Sequence, residues 1–201
     1  MQELIKLIPT GTFADYLLEI KQHRPKLFTY EQAWQLPWGE YQQALIEDIV
    51  KAIDRLEEAE TAELNQAIPA TGLAGIYFCI GDDGRSFTIG GSLYFNEDDW
   101  AANADFYPNC READNLMFEI TSEIVDNLDV KPWKIDGCSI SQLMYVFSAF
   151  TVFHAMYQIE NKPALMNCGM AIGYSDGGEL TLGQFKNGKF EAGLKIIEEV
   201  W

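Results

Sequence analysis

Carboxylates set beside aromatic rings are the groups of this chain best suited to chemistry. Asp98, Asp99 and Asp105 lie close in sequence to Trp100 and Tyr107. Two acids beside a ring are what a carboxylate hydrolase uses as acid and base, and what a magnesium site uses as ligands. The chain holds 31 acidic residues, so neighbouring acids also arise without a site. An acidic helix start explains the same run. Asn96 can cap, and Glu97, Asp98 and Asp99 fall in a first turn, where the helix dipole favours negative charge. Trp100 would then anchor that turn to a core. No catalytic residue is assigned.

Other chemistries are poorly supplied. Triads and dyads need a histidine, and there are two, His23 and His154. His154 falls on a polar stripe that can meet Cys138 or Cys168, but a core histidine bonded to a hydroxyl or carbonyl is the expectation. His23 sits in a basic patch, Lys21 to Lys26, at an expected helix end. Cys79, Cys110, Cys138 and Cys168 are singly spaced, without a C-x-x-C pair. That spacing argues against zinc and against a disulfide framework, and for reduced thiols in a cytoplasmic protein. Asp82-Asp83-Gly84 lacks the register of a calcium loop, and Gly81, Gly84, Gly90 and Gly91 do not form a phosphate loop. Neither metal nor cofactor is expected.

What remains is charge. The net charge is −17. Residues 71–130 carry Arg85 and Arg111 against 12 acids, a net of −10, whereas residues 131–201 are close to neutral at −1. A block of that sign repels nucleic acid and anionic membrane and attracts basic partners. The expected partner-binding set is Asp98, Asp99, Trp100, Asp105, Glu119, Glu123 and Asp126, rimmed by Tyr94 and Tyr107. Aromatic anchors within a charged rim are a common interface composition. A solvated acidic surface without a specific partner explains the same residues.

Several elements must position these groups. Apolar spacing predicts a helix over Phe13 to Gln22, and Thr29 with Gln32 has the form of a capping box for a short helix ended by Pro37. Tyr41, Leu45, Ile49, Ile53 and Leu56 form one stripe of a helix from Glu40 to about Gln66. Ile76, Phe78 and Ile80, then Phe87, Ile89, Leu93 and Phe95, alternate as a hairpin around Gly81-Asp82-Asp83-Gly84. Gly90-Gly91 suggests a bulge or a close backbone approach. Glu112 to Leu128 forms a helix with Glu119, Glu123 and Asp126 on one side. Ile140 to Ile159 is long enough to span a bilayer, but Ser141, Ser148, Thr151, His154 and Gln158 form a stripe, so a buried core helix is expected. Cys168, Met170, Ile172 and Tyr174 alternate with Gly169, Ala171 and Gly173, a small side that admits close packing. Lys186-Asn187-Gly188-Lys189 is the strongest hairpin turn, while Leu194 to Trp201 reads equally as strand or helix. The two hairpins share a pattern best explained by common turn chemistry rather than by duplication.

The strand–turn–strand order followed by Asn96-Glu97-Asp98-Asp99-Trp100, with Gly173-Tyr174-Ser175-Asp176-Gly177-Gly178 near the end, resembles small acidic bacterial immunity proteins of polymorphic and contact-dependent toxin systems. The resemblance covers residues 74–107 and 168–185. It implies a non-enzymatic cytoplasmic protein that binds a toxin domain, often a basic nuclease, by charge and shape. It transfers no binding residue. The expectation is thus one α+β domain over 1–201. A helical part (1–70) precedes a hairpin, helix and hairpin body (71–201), with the helices packed on an antiparallel sheet. The expected function is an acidic binding protein. A carboxylate-based hydrolase or metal-dependent enzyme is the first alternative, and a structural or oligomeric protein the second. The opening Met1-Gln2-Glu3 lacks a basic segment and an apolar run, so no signal peptide is expected.

Overall fold

The computed structural model describes residues 6–23, 35–55, 72–81, 84–95, 111–128, 140–174 and 177–198. Four helices, α1 (Phe13–His23), α2 (Trp38–Asp54), α3 (Arg111–Leu128) and α4 (Ile140–Met156), pack with five strands. The strands are β1 (Gly75–Ile80), β2 (Phe87–Ser92), β3 (Gly169–Tyr174), β4 (Gly177–Lys186) and β5 (Lys189–Glu198). The α+β class holds.

The sheet order is β2-β1-β3-β4-β5. Each hairpin is antiparallel, but β1 and β3 join them in parallel, Ile76 opposite Met170 and Phe78 opposite Ile172. Parallel neighbours need a long crossover, and here the crossover carries β2, α3 and α4. The register runs unbroken through Gly90 and Gly91, so no bulge forms there. The irregular pairings are instead β3 with β4 and β4 with β5, each of which shifts register twice. Asn187 and Gly188 both take positive φ, as a two-residue hairpin turn requires. The final segment, ambiguous in sequence, is strand to Glu198.

Helix α4 is the centre of the core. The middle of its polar stripe is buried and satisfied: the Thr151 hydroxyl donates to the Phe147 carbonyl at 2.7 Å, and Ser148 Oγ lies 3.8 Å from Met117 Sδ. On one side Tyr145 donates to the Ile172 carbonyl (3.2 Å) and stacks on Tyr174 with centroids 4.9 Å apart. On the other, Phe147 packs against Phe13 and Trp38 at 5.3 and 5.2 Å. Among the described residues no helix is long and apolar enough to cross a membrane.

Local sequence explains the helix ends. The Thr12 hydroxyl accepts the Asp15 N–H (3.2 Å), and the Asp15 carboxylate accepts the Thr12 N–H (2.7 Å), a reciprocal cap that opens α1. The Thr12 N–H, with the Thr12 hydroxyl 2.8 Å from the same carboxylate oxygen, holds the Asp15 carboxyl below its ordinary value. The sequence reading found its capping box at Thr29 and Gln32, outside the described residues, and passed over this one, which uses aspartate. α2 ends at Asp54, capped at Arg55, and the rest of the stretch expected to be helical, to Gln66, lies outside the described residues.

The small side of β3 does admit close packing. A Cβ on Gly169 would lie 2.2 Å from Phe95 Cε1, and one on Gly75 would lie 2.6 Å from Phe95 Cδ2. One aromatic ring thus covers both glycines of the parallel pair Gly75–Gly169. Each outer edge of the sheet has one backbone N–H, at the start of its strand, capped by a carboxylate. Asp114 of α3 accepts the Phe87 N–H of β2 at 2.9 Å, and Glu160 accepts the Phe190 N–H of β5 at 3.1 Å while pairing with Lys189 at 2.7 Å.

Candidate functional site

Helices α2 and α3 lie side by side and antiparallel, because Tyr41 at the start of α2 reaches Glu123 near the end of α3, and Arg55 at the end of α2 lies 3.7 Å from Glu112 at the start of α3. Heptad-like spacing explains the shared face. Ile49 and Ile53 of α2, with Met117, Ile120 and Ile124 of α3, point inward, which leaves Glu40, Glu119 and Glu123 outside.

The Tyr41 hydroxyl donates to the Glu123 carboxylate. Desolvation, that hydrogen bond and the charges of Glu123, Glu119 and Glu40 raise the phenol to about 12. The hydroxyl therefore stays protonated at neutral pH and remains a donor. One exposed carboxylate thus bonds the phenol, and two more, one on each helix, act on it through their charge. Among the described residues no three histidine, cysteine or acidic side chains are placed to hold a metal. Phe118 stands exposed on α3, with the Arg85 guanidinium carbon 5.9 Å from its ring centroid.

Of the residues expected to bind a partner, Glu119 and Glu123 are brought together here. Asp98, Asp99, Trp100, Asp105 and the side chain of Asp126 lie outside the described residues, as do Tyr107 and the pairs on which carboxylate catalysis would rest. Glu40 and Tyr41 were missed. Tyr41 reads in sequence as one more apolar residue of the α2 stripe, and no local pattern places it against a helix some eighty residues on. Glu179, also passed over, is almost fully buried, opposite Gly173 in the ladder. Its charge and that of Tyr174 add to burial in raising the Tyr145 phenol.

Histidine and cysteine chemistry finds no arrangement among the described residues. His154 Nε2 meets the Gly11 carbonyl at 2.9 Å, the core role expected of it. The Cys168 thiol is buried, raised by desolvation, and contacts its neighbour's carbonyl at 3.5 Å. A buried thiol held protonated is a poor nucleophile. The side chain of His23 and all of Cys110 and Cys138 lie outside the described residues.

No family model, no curated protein and no solved structure matches the chain. The α2–α3 face must therefore be interpreted from its own geometry.

Proposed function

We propose that this chain is a non-enzymatic acidic binding protein that receives a basic protein on the α2–α3 face. The observation that carries this reading is the hydrogen bond of Tyr41 to the exposed Glu123 across the two helices, with the charges of exposed Glu119 and Glu40 acting on the same phenol. The negative charge exposed on that face attracts an incoming cation. An immunity-type inhibitor of a basic toxin or nuclease domain is the form of such a protein that the resemblance in residues 74–107 and 168–185 favours. The buried thiol of Cys168, held protonated, suits the reducing cytoplasm in which such inhibitors act.

The test is capture of partners from the source lysate on immobilised protein, washed at rising salt, with wild type compared to Glu119→Lys/Glu123→Lys. A basic partner that elutes with salt and is lost by at least about tenfold in the double variant supports the reading. Glu191→Lys, on the far edge strand, should retain the partner. Equal capture by wild type and the double variant would remove the α2–α3 face as the interface.

A further inference from the structure

We propose that Asn187 is a deamidation site, and that docking of its turn on the segment after α4 keeps the site closed in the folded chain. Asn187-Gly188 is the single Asn-Gly pair of the sequence. It forms the two-residue turn between β4 and β5, with φ of 50° at Asn187 and 77° at Gly188. Asn187 is exposed and Gly188 is buried. In the reaction the Gly188 backbone nitrogen attacks Asn187 Cγ. A C–N bond forms, the side-chain nitrogen leaves as ammonia, and a five-membered succinimide results. Water then opens the ring at either carbonyl, to aspartate or to isoaspartate. Glycine favours the step because it puts no side chain beside the attacking nitrogen and leaves the backbone free to rotate.

The fold withholds both things that this step needs. The nitrogen must lose its proton, yet the Gly188 N–H donates to the Met166 carbonyl at 2.9 Å. The peptide must rotate to bring that nitrogen to Cγ, yet the turn is held at each of its residues. The Gly188 carbonyl accepts the Asn161 N–H at 2.8 Å, and the Asn187 N–H donates to Asn167 Oδ1 at 3.3 Å. The fit is close: a Cβ on Gly188 would lie 3.0 Å from Met166 Sδ and 3.1 Å from Asn161 Cα. Reaction therefore waits for the turn to lift from residues 161–167, and its rate follows the population of that opening. The two products then part ways. Aspartate suits this turn as asparagine does. Isoaspartate adds a methylene to the main chain, so the loop loses the length that sets the β4–β5 register, and the turn should stay undocked.

The experiment incubates the intact chain in mildly alkaline buffer, folded and in urea. Deamidation is read by mass spectrometry on the peptide from Leu180 to Glu191, released by cleavage after glutamate. Hydrogen exchange of the Gly188 amide in the same buffer measures the opening independently. In urea Asn187 should deamidate ahead of every other asparagine of the chain. In the folded protein it should do so at least about tenfold more slowly than in urea. Asn167→Ala, which removes the side-chain acceptor of the Asn187 N–H, should raise the folded rate and the Gly188 exchange together and leave the rate in urea unchanged. If Asn187 does not lead the other asparagines in urea, the site is overturned. Equal rates in the folded and urea-treated protein would overturn the gate. So would an Asn167→Ala variant in which deamidation or exchange rises alone, or neither rises.

Discussion

Tyr41 shows how one side chain can belong to two structures at once. Its ring is part of the apolar stripe that packs α2, with Trp38 6.2 Å away, and its hydroxyl belongs to the acidic face. The phenol titrates at about 12 in the fold against 10.0 for an ordinary tyrosine. The folded state therefore holds its proton over an interval in which the unfolded chain releases it. Stability from this group is full below pH 10 and is lost as pH rises toward 12. Denaturant midpoints measured across that interval should fall more steeply for wild type than for Tyr41→Phe. At neutral pH the same substitution should cost about 0.5 kcal/mol, the low end for a hydrogen bond, because the pair is partly solvated. Matching alkaline slopes in the two proteins would show that Glu123 does not hold the phenol.

Elements that obey local rules were legible from sequence, and the contacts between them were not. α1, α3, α4 and the second hairpin follow from spacing and turn residues alone, since period and positive-φ positions act within a few residues. The parallel join of β1 to β3 leaves no local mark, because either hairpin satisfies its own pattern whichever way its neighbour runs. For the same reason Glu119 and Glu123 were found as a helix face, while Tyr41, which bonds Glu123, was not. Gly169 lies between these cases: its small side chain was read as room for a close neighbour, but Phe95 could be named only in three dimensions. Gly169→Ala should force that ring aside and destabilise the fold by about 1–3 kcal/mol, as overpacking does. Urea denaturation of Gly169→Ala, Phe95→Leu and the double variant would test it. The double variant should be more stable than the sum of the single changes implies, since the smaller side chain relieves the clash. Strict additivity would mean that the two residues do not touch.

At the scale of the molecule, charge sets two opposing responses to salt. A net of −17 on 201 residues makes the folded chain repel itself. Screening shortens that repulsion to about 8 Å at physiological ionic strength. Salt added at neutral pH should therefore raise the thermal midpoint of the free protein. It should also weaken the proposed complex with a basic partner, whose attraction is screened in the same way. Calorimetric melting and binding isotherms over one salt series would show the two curves moving oppositely. A complex indifferent to salt would point to an apolar interface instead.

The Glu160 carboxylate that caps the start of β5 carries a consequence for colloidal behaviour. Near its isoelectric point, at about pH 4.3, the protein has no net charge to keep copies apart, and precipitation is then governed by whatever surfaces can adhere. Exposed strand edges are the usual adhesive. Glu160 is held below its ordinary value by Lys189 and the Phe190 N–H. It therefore keeps its charge to a lower pH than an ordinary glutamate. The long edge strand keeps its ionised cap while long-range repulsion disappears, so acid should leave this chain a dispersed, resoluble precipitate rather than a fibrous one.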